Sequence, residues 1–135
     1  MLPVTWTTIR LFLHVLGATV WVGGQLTLAG LVPGLREISP DAPRAVARRF
    51  NLIAWPAFAL LVVTGIWNLL AIDVSNTTTT YQMTVAAKLV VVALSGISAF
   101  LHTVSKSRRG LAIWGALGGL AALGALFLGI MLATG

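Results

Sequence analysis

Residues 8–32 read TIRLFLHVLGATVWVGGQLTLAGLV. From Leu11 to Val32 the run holds 22 residues without one Asp, Glu, Lys or Arg. A helix crosses the hydrocarbon core of a bilayer with about 20 apolar residues, so the run is read as a membrane span. The apolar core of a secretory leader is only about 7–15 residues long, which favours a retained helix. Working outward, three further segments have the same character, at 50–72, 82–104 and 111–134. Backbone polar groups in lipid must be satisfied within the segment, and at these lengths helices do so. The expected fold is all-α: a single domain over 1–135, built as an integral membrane antiparallel four-helix bundle.

The composition agrees. Of 135 residues 58% are hydrophobic, and only nine Lys/Arg and three Asp/Glu are present. Charged residues make up 9%, against about 25% in an ordinary soluble domain. A soluble domain of this size could not cover its surface with so few. The chain has no Cys, which excludes disulfides, thiolate-held zinc, iron–sulfur clusters and thiol catalysis.

The charges also set an orientation. The connection from Pro33 to Arg49 carries Arg36, Arg44, Arg48 and Arg49 against Glu37 and Asp41, and 105–110 (SKSRRG) carries three bases. The stretch 73–81, DVSNTTTTY, carries one acid and no base. The positive-inside rule places the two basic connections in the cytoplasm, and hence both termini on the extracytoplasmic side of a bacterial-type inner membrane. The bases are not interleaved with aromatics along a stripe, so the net charge of +6 points to anionic lipid and not to nucleic acid.

Polar residues inside the spans mark candidate sites. Arg10, His14, Gly17, Trp21 and Gln25 recur at three- and four-residue spacing and share one helix face. So do Asn51, Trp55, Phe58, Gly65 and Asn68 in the second span, and Lys88, Ser95 and His102 in the third. Counted from the outer surface at about 1.5 Å per residue, Arg10, His14, Asn68 and Lys88 fall in one layer of the outer leaflet. His102 falls roughly 20 Å deeper, at a cytoplasmic helix end where a headgroup-facing role is expected, so the two histidines are not expected to clasp one haem iron. The layer holds two cations, and Asp73 is the only acid near it. Three arrangements are open: Arg10 snorkels to the headgroups, Lys88 is buried uncharged, or an anionic ligand such as a haem propionate or lipid phosphate completes the site. For His14 the alternatives are a structural hydrogen bond and a metal or cofactor role. Copper(I) takes imidazole and soft thioether ligands, which here means His14, Met83 and Met131. In the fourth span Gly115, Gly119, Ala122, Ala125 and Gly129 form a small-residue stripe suited to close helix packing, inside the bundle or against a second copy or larger membrane complex.

Counting removes other classes. A four-histidine, two-haem cytochrome needs more than two His. A proton-coupled drug exporter of four spans usually carries an intramembrane carboxylate, and a Ser-His-Asp hydrolase needs an acid at the level of its histidine; no span contains either.

The stretch LHVLGATVWVGGQLTLAGLVPGLR (13–36) resembles the first helix of the copper-resistance D (CopD) membrane family, with His14, Trp21, Gly23 and Gly24 in matching places. RRFNLIA at 48–54, Thr64-Gly65, and Tyr81 with Lys88-Leu89 resemble its later signatures, in order, over about residues 9–134. The resemblance implies copper uptake or tolerance at the inner membrane, with His14 as ligand and Arg10 and Lys88 as site electrostatics. The pair His14 and Lys88 is also similar to HemJ-type protoporphyrinogen oxidases, four-helix membrane proteins that bind b-type haem. That similarity implies haem on His14 with Arg10 and Lys88 beside the propionates, lined by Trp21 and Asn68. The chain departs from that pattern at Pro33-Gly34-Leu35, where those proteins have Pro-Arg-Leu. Copper implies no catalysis and haem implies an oxidoreductase. A third reading is a non-catalytic subunit of a membrane complex.

Overall fold

The computed structural model describes all residues, 1–135. Its regular structure is entirely helical: α1 (Trp6–Ala18), a π-helical turn (Thr19–Gly23), α2 (Gly24–Ile38), α3 (Ala42–Ile72), a 3₁₀ turn (Val74–Asn76), α4 (Thr79–Val104) and α5 (Arg108–Thr134). With α1 and α2 taken as one rod, four helices of 33, 31, 26 and 27 residues are long and apolar enough to cross a membrane. Only 11% to 22% of the most apolar stretch of each is buried, so most of the hydrophobic surface faces outward, where a bilayer would cover it. The chain divides into two compact units, Met1–Ile72 and Asp73–Gly135.

In the first unit α1 and α2 pack on α3. Thr5 caps α1: its hydroxyl accepts from the Thr8 amide, and the Thr5 amide donates back to the Thr8 hydroxyl, which satisfies two end groups at once. The rod does not stop at Pro33-Gly34 as the sequence suggests but runs on to Ile38. Proline costs one backbone hydrogen bond and crowds the preceding turn, yet prolines are tolerated in membrane-spanning helices. Likewise α3 starts at Ala42, so much of the basic connection is helix, and it passes through Pro56. The approach between the helices is close. A Cβ on Gly17 would lie 3.0 Å from both the Ala57 carbonyl oxygen and Leu61 Cγ.

The π turn is absent from any 3.6-residue reading. Its widened backbone is held by side chains that bend back onto it: Gln25 Nε2 donates to the Trp21 carbonyl at 3.0 Å, and Thr27 Oγ1 to the Gly23 carbonyl at 2.8 Å. Gln25 is therefore spent within its own helix. Such insertions are frequent at functional positions, and this one carries Trp21 and Val22, both buried.

In the second unit α4 and α5 pack along their length. Their contacts run in opposite order: Lys88 lies by Gly129, Val91 by Gly124, Ser95 by Gly118, and His102 by Gly115 and Leu111. Ser95 and Ser98 are each 1% exposed, and Gly118, Ala121 and Ala122 are buried opposite small neighbours. The turn leading into α4 is pinned by Gln82, whose Nε2 donates to the carbonyls of Val74, Ser75 and Thr77.

Candidate functional site

In the first unit one face of α1 and the π turn lies along one face of α3. Trp6 pairs with Trp67 at the outermost level, with ring centroids 6.5 Å apart. Three to four levels further in, Trp21 packs against Phe58 at 4.4 Å and edge-on to Trp55 at 5.5 Å. On α1 the polar side chains lie between Trp6 and Trp21. His14 meets Thr64 through Nδ1 and Oγ1 at 2.8 Å, and its ring also touches Gly65, where an added Cβ would come within 3.5 Å. One turn outward on each helix stand Arg10 and Asn68, at the same level by this register.

The His14–Thr64 contact has a definite direction. A hydroxyl has a single proton, and that of Thr64 goes to the Leu60 carbonyl at 2.6 Å, with Leu61 further off at 3.3 Å. Carbonyls cannot donate. With that proton on the Leu60 carbonyl, Thr64 Oγ1 accepts from His14, an assignment that puts the imidazole proton on Nδ1. In the neutral ring Nε2 then carries the lone pair. A hydrogen bond at one ring nitrogen that fixes the tautomer of the other is the usual support of a ligating histidine. Thr64, 2% exposed, is the functional residue that the sequence reading treated only as part of a Thr-Gly signature; its place one turn before Asn68 was the available clue.

Arg10 is largely buried. It is 9% exposed, and its buried Nε has no hydrogen-bond partner; neither has the buried Oδ1 of Asn68. The acids of the first unit, Glu37 and Asp41, lie near the far end of the helix pair. Asp73 belongs to the second unit. Both its oxygens are occupied, by Ser75 Oγ and Asn76 Nδ2 at 2.6 Å each, and it stands in a left-handed backbone conformation at φ 51°.

Four of the expected site residues, Arg10, His14, Trp21 and Asn68, thus share one helix pair. Lys88, Met83 and Met131 belong to the second unit. Lys88 Nζ points at Gly129, 2.9 Å from where a Cβ there would sit, so that glycine makes room for the ammonium tip. Met83 and Met131 are exposed, at 68% and 44%. Neither unit alone holds the set His14, Met83 and Met131, and there is no cluster of three His, Cys, Asp or Glu side chains fit to hold a metal ion. His102 is not a free headgroup-facing side chain: its Nδ1 donates to the Leu111 carbonyl at 2.8 Å and its ring rests on Gly115, stapling the turn between α4 and α5. In the small-residue stripe, Gly115 faces His102, Gly129 faces Lys88 and Ala122 is buried, whereas Gly119 has no neighbour within 4 Å of an added Cβ.

Comparison with protein-family models, with curated proteins and with solved structures finds no match.

Proposed function

We propose that this chain is a multi-pass protein of a bacterial-type inner membrane, CopD-like in architecture, that binds a b-type haem or related tetrapyrrole through His14. In this reading the four helices form an antiparallel bundle with both termini extracytoplasmic. The observation that carries the proposal is a His14 held through Nδ1 by Thr64, with a buried Arg10 one turn away on the same face.

The residues fit such a group. His14 Nε2 would ligate the iron, Thr64 would hold the ring, and Trp21 with Phe58 would supply an apolar wall. Arg10 would face the acidic edge. A buried guanidinium without a carboxylate partner costs several kcal/mol, and an anionic ligand group offsets that cost. When bound, haem supplies one-electron redox chemistry.

Copper handling, the reading the CopD resemblance implies, draws on the same imidazole. A copper ion near Arg10 would meet a like charge in a medium of low dielectric, and this favours the tetrapyrrole. The absorption spectrum of detergent-purified protein, with elemental analysis, separates the readings. A Soret band that His14→Ala abolishes is the expected result. Colourless protein with stoichiometric copper would replace haem by copper. Neither ligand, with co-purifying membrane proteins, would favour a subunit of a larger complex.

A further inference from the structure

One turn beyond the His14–Thr64 pair on each helix stands a buried polar atom with nothing to bond, Arg10 Nε on α1 and Asn68 Oδ1 on α3. Buried polar groups in folded proteins are nearly always satisfied, and each exception calls for a cause. Here one element cannot relieve the other. Although a donor and an acceptor stand at one level by the His14–Thr64 register, they do not bond each other, and a third group that meets both would satisfy them. That group must bring negative charge, because Arg10 is permanently cationic and no carboxylate of the first unit lies near it.

We infer that Arg10 and Asn68 form a two-point seat for one oxyanion, a carboxylate or a phosphate, carried by a lipophilic ligand. Arg10 Nε–H donates to one oxygen. The Asn68 amide turns half a revolution about its last side-chain bond, so that Nδ2–H donates to a second oxygen. The turn costs little, since the two ends of the amide are nearly equal in shape. The seat deepens the tetrapyrrole reading, and its propionate form rests on that reading; a fatty acid or lipid phosphate would use the same two donors. No other anion source in the unit competes, and the Trp6–Trp67 pair gives the ligand's apolar body a surface to follow.

The informative variant is Asn68→Asp. It places a carboxylate beside Arg10 and fills the seat from within, so the protein should fold at least as well while losing its preference for acids. Full-length protein is titrated with haem and with haem dimethyl ester, which lacks both acids, and the Soret change is followed. Wild type should favour haem by about tenfold or more, the value of one charge-assisted hydrogen bond. Asn68→Asp and Arg10→Gln should bind both compounds alike, and His14→Ala should weaken both equally. Equal binding of haem and ester by wild type overturns the seat while leaving haem binding intact. If no Soret change occurs at all, the tetrapyrrole reading fails, and oleate against methyl oleate in a thermal-shift assay decides the seat alone. Stabilisation by oleate only, absent in Asn68→Asp, supports it; no difference between acid and ester overturns it.

Discussion

The two units join a pair of long apolar helices by different means. In Met1–Ile72 the contact runs through rings and hydrogen-bonding side chains: Trp6, Arg10, His14 and Trp21 on one helix, Phe58, Thr64, Trp67 and Asn68 on the other. In Asp73–Gly135 it runs mostly through serines, glycines and alanines, with hydrogen bonds from Ser95 to Gly118 at 3.3 Å and, near the connecting turn, from His102 to Leu111 at 2.8 Å. Between helices in lipid, association depends on close van der Waals contact and on interhelical hydrogen bonds. Small residues satisfy the first demand over a long seam and leave no room for a ligand. Large rings and unmatched polar atoms pack less completely, and that is where a site is possible.

Four substitutions probe this contrast. The largest effect is expected for Trp21→Ala, which removes the ring at the centre of the Trp55–Phe58 cluster. Emptying such a position costs about 3–5 kcal/mol, read as a lower melting temperature of the detergent-solubilised protein. Ala122→Leu tests that seam by overfilling it: at 2% exposure, the added carbons should cost about 1–3 kcal/mol. An unchanged melting temperature would show the seam to be looser than its burial implies. Thr64→Val keeps shape but removes the acceptor for His14 Nδ1–H. Stability should fall by only about 1 kcal/mol, while ligand affinity falls about 10–100-fold, as for other second partners of ligating histidines. Equal loss in both would make Thr64 merely structural. Gly129→Ala should do least, because the atom in the way is the mobile tip of Lys88. A melting temperature within a degree or two of wild type is the expected outcome, and a large drop would mean that the ammonium is fixed in place.

Much of this was legible in the residues. The four long helices follow from runs of apolar residues, and the shared face of Arg10, His14 and Trp21 from their spacing. Asn68 could be placed level with Arg10 by counting along each helix. What spacing could not give was direction. Whether Arg10 reaches outward or lies buried depends on which side of α1 meets α3, and that is settled by Gly17 against Ala57 and Leu61, a contact between residues far apart in sequence. The tautomer of His14 depends on where the Thr64 proton goes, a backbone question three and four residues away. His102 looked free because the Leu111 carbonyl that receives its proton has no side-chain signature. The helix through Pro33 was hidden for the converse reason, since the signal for a stop is present and the chain overrides it.

The π turn at Thr19–Gly23 acts as a phase adjuster. Each residue of an α-helix advances the side chains by about 100°. Straightening Thr19–Gly23 into ordinary helix with every residue kept would twist its two ends against each other by about that angle. Either the imidazole end or the Gly24 end would then keep its seating on α3, but not both. The spare residue is absorbed in the turn, so a one-residue deletion here, which returns the stretch to ordinary helix with the His14-bearing and Phe50-facing halves still in phase, should be better tolerated than one between Arg10 and His14.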